Sequence, residues 1–569
     1  MTKRAIGSGI LAGLMALAWT PPLEALDFYH AAPAEETAQA LLDTLSDRDA
    51  LAQTFMLGWV GADPSPLILR WIRERNIGGV KIFGWNTEDT ARLALSVGRL
   101  QKAALENPLK IPLLVATDQE GGWIRHVKGD TSETPGNMAI GASGFPRDAY
   151  LSGYYIGREL SALGINMNFA PTVDLFTNRA SVLIGTRAFG DDPIKVGTLG
   201  IAFAKGLEKA GVIATAKHFP GHGDTDQDSH GVLPVIEADI DVLWDRELIP
   251  YRMLSKENIP SIMSGHLAFP NTPGRYEPAS LSRYFMTEIL RKRIGYDGVV
   301  ITDDLMMNGA TISAGSVSRA AKRALEAGND ILMLSNTPFL DDAIWTSLVD
   351  SMAKEPDFRK RVRDAARRVL TMKLRYLRSD NAPPLVPDPD SLPQRVPDPE
   401  GKAFFLDLAV RSTTVVKGRA AAPDAPSSIP FKPEPSESIL LAGQFDEFFK
   451  AGKAAYPDAQ EYRFSLTTDG AVPGEKAAFL RKAKESQTVI FCLANNYSLS
   501  LLQDLRDSGI RVLVVSVLSP MYIEGIPWAD GIIAVYSYSR DSFIAAFSTL
   551  LGRIRGTGVL PFASDTYRR

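Results

Sequence analysis

The first two thirds of the chain alternate short apolar runs with longer amphipathic stretches. Helix-like periodicity occurs, for example, in Pro66–Arg75, Thr87–Leu105, Asp192–Ala210 and Val317–Ala327. The apolar runs that resemble strands are Thr54–Val60, Gly79–Phe83, Leu113–Thr117, Ile165–Val173, Val212–Ala216, Ser261–Ser264, Gly298–Thr302 and Ile331–Leu334. Strands that alternate with amphipathic helices predict βαβ units and a parallel sheet. Eight such units in roughly 310 residues predict an α/β fold, a (β/α)8 TIM-like barrel.

A proline-rich segment interrupts this pattern near residue 380. Seven of the 17 residues from Pro383 to Pro399 are proline. Because proline fixes φ and removes a backbone donor, residues 381–400 are predicted to form an extended, semi-rigid linker. It separates a catalytic barrel domain, residues 27–380, from a C-terminal domain, residues 401–569.

The C-terminal region also alternates between strand-like and helix-like segments, which predicts a smaller α/β layered domain. Its predicted strands are Thr413–Val416, Ile439–Ala442, Val489–Leu493, Val512–Val517 and Ile532–Tyr536. Its predicted helices are Asp446–Ala455, Glu475–Ser486 and Leu501–Ser508. We find no motif for chemistry in this part of the sequence.

The N-terminus has the layout of a secretory signal peptide. Lys3 and Arg4 precede an uncharged stretch from Ala5 to Trp19, and prolines follow at 21 and 22. The apolar run is shorter than the ~20 residues of a membrane-spanning helix. We therefore expect residues 1–25 to be a signal peptide, the protein to be exported to the periplasm or the medium, and no membrane span to remain after cleavage.

Composition narrows the range of functions. Lys and Arg total 62 against 66 Asp and Glu, which gives a formal net charge of −4 without basic clusters. This balance argues against a dedicated nucleic-acid binder, whose Lys and Arg residues form a basic patch. The single cysteine, Cys492, excludes an intrachain disulfide framework and a cysteine-rich zinc module. The sequence carries no indication of an oligomeric state.

Ionisable residues follow five of the eight predicted strands. Active sites of such barrels lie at the C-terminal ends of the strands, where the βα loops begin. Buried charges are costly, and ionisable groups that converge in a cleft are typical of functional sites. The residues in question are Asp118, Asp174, Lys217 with His218, His266, and Asp303 with Asp304.

The fifth strand leads into an irregular loop, Lys217–Gly231, that contains three of the six histidines. A metal site is one interpretation, but the spacing of His218, His222 and His230 is not that of a helical zinc motif. General acid/base catalysis is a second, because Asp228 and His230 stand two residues apart and can hydrogen-bond in an extended stretch. A structural role is the third, and it suits His222 best, whose ring can bind backbone carbonyl groups and fix the loop.

Four segments carry a family resemblance. KHFPGHG followed by DSH in Lys217–His230 resembles the signature of family 3 glycoside hydrolases of the β-N-acetylglucosaminidase branch, in its two-domain form. Ala116–Val127 is similar to the family's D-x-E-G-G-x-V-x-R segment, Gly185–Pro193 to its R-S-F-G-D-D-P stretch, and Asp297–Ala310 to the segment with its nucleophile. Trp123 stands where arginine is common in the family.

The resemblance implies roles for individual residues. Asp303 would be the nucleophile, with Asp304 as the neighbouring alternative, and His230 paired with Asp228 would be the general acid/base. The hydroxyl groups of the terminal sugar would be held by Asp118, Arg187, Lys217 and His218. Arg125 would line the same cleft, and we expect His266 to line it as well.

The resulting hypothesis is an exo-acting, retaining β-N-acetylhexosaminidase that releases terminal β-linked GlcNAc from cell-wall muropeptides or chito-oligosaccharides. The retaining mechanism would pass through a covalent glycosyl-enzyme on Asp303. We expect no metal and no cofactor. A β-glucosidase-type member of the same family is the alternative among enzymes, and a non-catalytic sugar-binding protein is the alternative from another class.

Overall fold

The computed structural model describes Met1 and residues 26–419, 427–467 and 472–567. The predicted signal peptide, residues 1–25, lies outside the described residues apart from Met1. Among the described helices, none has the length and apolar character that a bilayer crossing requires.

Eight parallel strands form the sheet of the first domain within the described residues, in the spatial order β8-β1-β2-β3-β4-β5-β6-β7. Their bounds are β1 (Phe55–Gly58), β2 (Gly79–Lys81), β3 (Leu114–Thr117), β4 (Met167–Asn168), β5 (Ile213–Phe219), β6 (Ser261–Ser264), β7 (Val299–Thr302) and β8 (Leu332–Leu334). A bridge between Ile301 and Ile331 brings the two edge strands together. The predicted TIM-like α/β barrel is confirmed.

Helices connect successive strands and surround the sheet. Their bounds are Ala34–Thr44, Asp47–Ala52, Pro66–Arg70, Trp71–Arg75, Thr90–Leu105, Asn137–Ser143, Pro146–Ala162, Pro193–Lys209, Ile240–Asp245, Leu248–Lys256, Tyr284–Ile294, Asn308–Ala314, Val317–Ala327, Ala343–Lys354 and Pro356–Leu377. Polar caps start several of them: the Asp192 carboxylate accepts from the amides of Ile194 and Lys195, at 3.0 and 3.1 Å.

The strand side chains alternate between two apolar cores. In β3, Leu114 and Ala116 point into the barrel interior, whereas Val115 packs outward against the surrounding helices. This period of two is what a closed parallel sheet with covered faces requires. By the same alternation Lys81, next to the outward Val80 of β2, lies on the interior side.

The segment predicted as a linker, residues 381–400, is folded onto the barrel and is not a free spacer. It contains a short 3-10 helix, Pro389–Gln394, and the side chains of Leu392 and Val396 are buried in the outer core of the barrel. The helix that follows, Pro399–Ser412, also packs against the barrel, because Phe405 and Leu408 belong to that same core.

The second domain contains a six-stranded sheet within the described residues, so a second α/β domain is confirmed. Its strands are β9 (Thr414–Lys417), β10 (Ile439–Gly443), β11 (Gln460–Arg463), β12 (Thr488–Leu493), β13 (Arg511–Ser516) and β14 (Gly531–Ala534). The order is β9-β14-β13-β12-β10-β11, and only the β9–β14 pair is antiparallel. The helices beside this sheet are Asp446–Ala455, Glu475–Ala483, Asn496–Leu502 and Arg540–Leu550.

Three details of the second domain differ from the sequence-based prediction, and the first is that the helix Arg540–Leu550 was not predicted. Strand β11 was not predicted, because QEYR is polar and largely exposed at the edge of the sheet. The helix predicted at Leu501–Ser508 instead spans Asn496–Leu502, because the Asn495 side chain accepts from the Ser498 amide at 2.9 Å and caps an earlier start.

Candidate active site

Charged side chains meet inside the barrel at the C-terminal ends of β2, β3 and β5. The Lys217 ammonium forms ion pairs with Asp118 and, at 2.6 Å, with Glu120. Arg187 donates two hydrogen bonds to the Glu120 carboxylate, at 2.9 and 2.8 Å. Lys81, fully buried, binds the other Asp118 oxygen at 2.8 Å. We call these five residues the charged cluster.

Four of the five pKa values in the charged cluster are shifted toward the ionised form, and the exception is Lys81, whose pKa is lowered by burial. Burial alone would raise the pKa of Glu120, but the charges of Arg187 and Lys217 outweigh burial and lower it to about 2. The pKa of Asp118 is likewise well below its usual range, because Lys217 and Lys81 outweigh its burial. Burial would lower the pKa of Lys217, yet Asp118 and Glu120 raise it above its ordinary value. Buried charges of both signs are thus paired within hydrogen-bond distance.

His218 is held beside this cluster by Asp174. Its Nδ1 lies 2.7 Å from the Asp174 carboxylate, and its Nε2 lies 3.4 Å from the Arg187 guanidinium. The same carboxylate accepts from the backbone amide of His222 at 2.7 Å. Asp174, at the end of the fourth strand region, therefore fixes the start of the histidine loop. The His222 ring, by contrast, is buried without a hydrogen-bond partner among the described residues, so the predicted brace through its ring nitrogens is wrong.

Asp303 and Asp304 follow β7 and have different surroundings. The Asp303 carboxylate accepts one backbone hydrogen bond, from Asp304 at 2.8 Å. Burial would raise its pKa, but the neighbouring imidazoles of His218 and His266 lower it, which favours the anion. One Asp304 carboxylate oxygen accepts backbone amides of Met306 and Ser335, both at 3.0 Å, and burial raises its pKa. Asp303 has the free, ionised oxygen that a nucleophile needs, whereas Asp304 fixes the backbone.

His266 supports the Asp303 segment from β6. Its ring is buried, with Nδ1 2.7 Å from the Ser280 hydroxyl and Nε2 3.1 Å from the Asp304 carbonyl oxygen. A carbonyl can only accept, so Nε2 carries a proton in this arrangement. Burial lowers the pKa of His266 and favours the neutral ring. Both nitrogens are engaged by the protein, so His266 holds the backbone that carries Asp303.

The proposed acid/base pair lies on an exposed loop. The His230 Nδ1 is 2.7 Å from the Asp228 carboxylate, and the side chains are 72% and 51% exposed. The loop contacts the segment after Asp303, because the Gly309 amide donates to the Ser229 carbonyl at 3.1 Å. The pair thus adjoins the segment after Asp303, while the imidazole of His230 is open to solvent.

Among the predicted sugar-binding residues, Arg125 is the one that the structure does not bring to the charged cluster. Its guanidinium binds the Thr131 carbonyl at 2.6 Å and lies 3.5 Å from Glu133. The next residue takes the inner position instead: the His126 Nδ1 lies 3.2 Å from the Lys81 ammonium and 3.6 Å from Asp118. In the hairpin of Gln119–Gly121 and Ile124–Arg125, adjacent side chains point to opposite sides.

His126 contributes a neutral imidazole to the cluster. Burial and the charge of Lys81 lower its pKa to about 4, so the ring is uncharged at neutral pH. The Lys81 ammonium can only donate, so it requires an unprotonated Nδ1 and leaves the proton of His126 on Nε2. Sequence reasoning missed His126, Lys81 and Glu120. The signal was present for Lys81, a lone cation in the apolar run GVKIF.

No group of three or more His, Cys, Asp or Glu side chains is arranged to hold a metal ion in the part of the chain that the structure describes. The charged cluster has lysine and arginine as the partners of its carboxylates, and such an arrangement suits hydroxyl groups. A sugar hydroxyl can donate to a carboxylate and accept from a neighbouring cation at the same time.

Comparison with known proteins gives matches to one family in sequence and in structure. Residues 52–372 match the profile of the glycosyl hydrolase family 3 N terminal domain. Beta-hexosaminidase A of Pseudoalteromonas piscicida is 38% identical over 285 residues, which are 47% of this chain and 47% of the relative. A beta-hexosaminidase of Bordetella avium is 37% identical over 285 residues, 49% of this chain and 79% of the relative. The match thus spans about half the length of the Pseudoalteromonas protein.

One of two similar solved structures covers most of this chain, and the other covers little more than half of it. A family 3 β-N-acetylglucosaminidase from Paenibacillus sp. str. FPU-7 superposes with a TM-score of 0.81 at 28% identity, and the alignment covers 91% of this chain and 99% of that one. For a β-N-acetylhexosaminidase from Beutenbergia cavernae, the alignment covers 57% of this chain and 98% of that chain, with a TM-score of 0.52 and 29% identity.

Proposed function

Because this chain belongs to glycosyl hydrolase family 3, we propose that it is an exo-acting, retaining β-N-acetylhexosaminidase. One observation carries the proposal. The Asp303 carboxylate accepts a hydrogen bond from the backbone amide of Asp304 at 2.8 Å, and although burial would raise its pKa, the charge of His218 lowers it. The Nε2 of His218 in turn lies 3.4 Å from the Arg187 guanidinium of the charged cluster. A nucleophile next to paired donors and acceptors is the arrangement that a sugar ring with several hydroxyl groups requires.

The proposed reaction has two steps. The Asp303 carboxylate attacks the anomeric carbon as His230 gives its proton to the departing glycosidic oxygen, which leaves a glycosyl-enzyme ester and a free alcohol. His230 then removes a proton from water, the water oxygen bonds to the anomeric carbon, and the ester bond to Asp303 breaks. Asp228 orients the His230 ring through the contact between its carboxylate and Nδ1.

The substrate class is the second part of the proposal. The names of the Pseudoalteromonas and Bordetella relatives favour a terminal N-acetylhexosamine over glucose. Together with the signal-like residues 1–25, this supports an exported enzyme acting on cell-wall muropeptides or chito-oligosaccharides with β-linked GlcNAc ends. Fusion of residues 1–25 to a reporter that is active only outside the cytoplasm tests the export.

Aryl β-GlcNAc and aryl β-glucoside hydrolysis by the purified protein test the activity. We expect turnover of the GlcNAc substrate; activity on the glucoside alone would favour the β-glucosidase alternative. Reaction with a fluorinated N-acetylglucosaminyl fluoride should add one sugar to the peptide that contains Asp303, as measured by mass spectrometry. Asp303→Asn should prevent labelling, and labelling that persists in Asp303→Asn but disappears in Asp304→Asn would contradict the assignment. Binding without any covalent adduct would favour the sugar-binding protein.

A further inference from the structure

The chain leaves the second domain after its last helix and crosses the rim of the barrel. We call residues 559–563 the C-terminal strap. The Val559 amide donates to the Ala142 carbonyl at 2.9 Å, at the barrel helix Asn137–Ser143. Two residues later the Pro561 carbonyl accepts from the Asp191 amide at 3.2 Å. The strap is therefore hydrogen-bonded to the barrel at two separate points.

The strap contacts the βα loop that carries Arg187; we call residues 175–191 the Arg187 loop. The Ala563 amide donates to the Asp191 carboxylate at 2.8 Å. Arg179 completes this contact, because one guanidinium nitrogen lies 2.8 Å from that carboxylate and 3.0 Å from the Ala563 carbonyl oxygen. A residue from each end of the Arg187 loop thus binds the same residue of the strap.

An apolar contact accompanies these polar ones. Phe562 is buried, and its ring centre lies 5.4 Å from that of Phe176 in an edge-to-face arrangement. The Arg179 guanidinium lies 4.5 Å from the Phe562 ring and 4.9 Å from the Phe176 ring. Such aromatic and cation–π pairs add to the stabilisation from buried area.

The Arg187 loop has a glycine where the strap approaches most closely. At Gly190 an added Cβ would lie 2.3 Å from the Pro561 carbonyl oxygen, and its φ of +157° is one that side chains rarely adopt. The approach of two backbones at this point requires glycine. The amide of Phe176 donates to the Gly190 carbonyl at 2.8 Å, which closes the Arg187 loop at its base.

The loop in turn connects to the sugar-binding side chains. The Arg187 carbonyl accepts from the Asn137 side chain at 2.8 Å, and its guanidinium holds Glu120. Near its start, the Asn178 amide donates to the Gly223 carbonyl at 3.0 Å, within the histidine loop. A displacement of the Arg187 loop would therefore move groups on two sides of the active site.

We propose that the C-terminal strap is a positioning element that holds the Arg187 loop, so that the second domain contributes to sugar binding through geometry and not through a catalytic group. This role rests on the proposed function of the site. It gives the second domain a part in the reaction even though the nucleophile and the acid/base residue both belong to the barrel.

Phe562→Ala and Ala563→Pro test the proposal in two different ways. Phe562→Ala removes the buried ring. Ala563→Pro removes the backbone amide that donates to Asp191, and because the side chain of Ala563 is exposed, the substitution leaves the apolar packing of Phe562 in place. We expect kcat/KM on an aryl β-GlcNAc to fall about tenfold or more in each, mainly through KM, because a positioning error of about 1 Å can cost on the order of 100-fold. Phe562→Leu should restore most of the loss.

Phe431→Ala is the matched control, since Phe431 is equally buried in the core of the second domain, against Tyr456 at 5.8 Å. The kcat/KM of Phe431→Ala should remain within about twofold of the wild-type value, although its Tm should fall by about as much as that of Phe562→Ala. Hydrogen exchange should rise in residues 175–191 in Phe562→Ala but not in Phe431→Ala. Equal effects of the two alanine variants on KM and exchange would overturn the proposal.

Failure of the proposed function gives a different result. A wild-type protein that does not hydrolyse aryl β-GlcNAc contradicts the β-hexosaminidase assignment, but the exchange comparison needs no substrate and still decides whether the strap holds the loop. Unchanged exchange in residues 175–191 in both strap variants would overturn the positioning role, whatever sugar the wild type accepts.

Discussion

Glu120→Gln removes one negative charge from the charged cluster and keeps the length and shape of the side chain. The carboxylate is 1% exposed and accepts hydrogen bonds from Arg187, at 2.9 and 2.8 Å, and from Lys217 at 2.6 Å. With an amide in its place, Arg187 loses its paired carboxylate, and Lys81 and Lys217 share only Asp118. Breaking a buried ion pair in this way leaves uncompensated charge and is strongly destabilising.

The pKa of Glu120 gives the magnitude. A pKa of about 2 in the folded protein, against an ordinary 4.5, corresponds to about 3 kcal/mol of stability at neutral pH. Because the folded pKa is depressed, this contribution is complete above pH 4.5 and declines as the pH falls toward 2. At pH 3 about half of it remains. Glu120→Gln should therefore lose about 3 kcal/mol at pH 7 and about half as much at pH 3.

Urea unfolding followed by tryptophan fluorescence measures this difference. Six of the eight tryptophans, at 59, 71, 85, 123, 244 and 345, belong to the barrel, so the signal reports mainly on the domain that contains Glu120. Glu159→Gln is the matched control. Burial raises the pKa of the Glu159 carboxylate, so its ionisation opposes folding at pH 7, and its replacement should not cause the loss of stability expected for Glu120→Gln. A Glu120→Gln loss below about 1 kcal/mol at pH 7, or one that does not change down to pH 3, would refute the reasoning.

Three further predictions concern the neighbouring residues. His230→Ala should lower kcat/KM on an aryl β-GlcNAc with a poor leaving group by about 10²–10⁴-fold but leave kcat/KM on the dinitrophenyl glycoside little changed, in steady-state kinetics; equal losses of kcat/KM on both substrates would contradict a proton donor. Lys81→Met should raise the pKa of His126 from about 4, because the charge of Lys81 contributes to lowering it; an unchanged ring titration by NMR would contradict this coupling. Gly309→Ala should lower kcat, because an added Cβ would lie 3.2 Å from the Ser229 carbonyl oxygen and displace the acid/base loop; wild-type kcat would show that the contact is unimportant.

The alternation of apolar runs predicted the barrel well because its strands are buried on both faces and therefore stand out from the amphipathic helices. Ser261–Ser264 has the same bounds in the sequence-based prediction and in the structure. The fourth strand was predicted too long, as Ile165–Val173, whereas β4 is only Met167–Asn168. Pro171 has no amide to donate, so the regular ladder ends before it.

The site was predicted in part, because residues next to strand ends can be found from the sequence whereas the direction of a side chain in a short hairpin cannot. The strand-end rule found Asp118, Lys217, His218 and Asp303. Arg125 was predicted, and His126 was not, because Arg125 matches the arginine that closes the family's D-x-E-G-G-x-V-x-R segment. The hairpin turns Arg125 toward Thr131, and only the geometry identifies the inner position of its neighbour.

The packing of residues 381–412 determines where the barrel ends as a folding unit. The segment presses on the barrel so closely that a Cβ on Gly164 would lie 2.6 Å from the Pro387 ring, and Asp398 forms an ion pair with Arg158 at 2.9 Å. A fragment that ended at residue 380 would lack Phe405 and Leu408 and would expose the apolar surface of the barrel that these two side chains cover. A fragment that ended after residue 412 would keep these contacts, so the structural unit of the barrel is longer than the proline-rich sequence indicates.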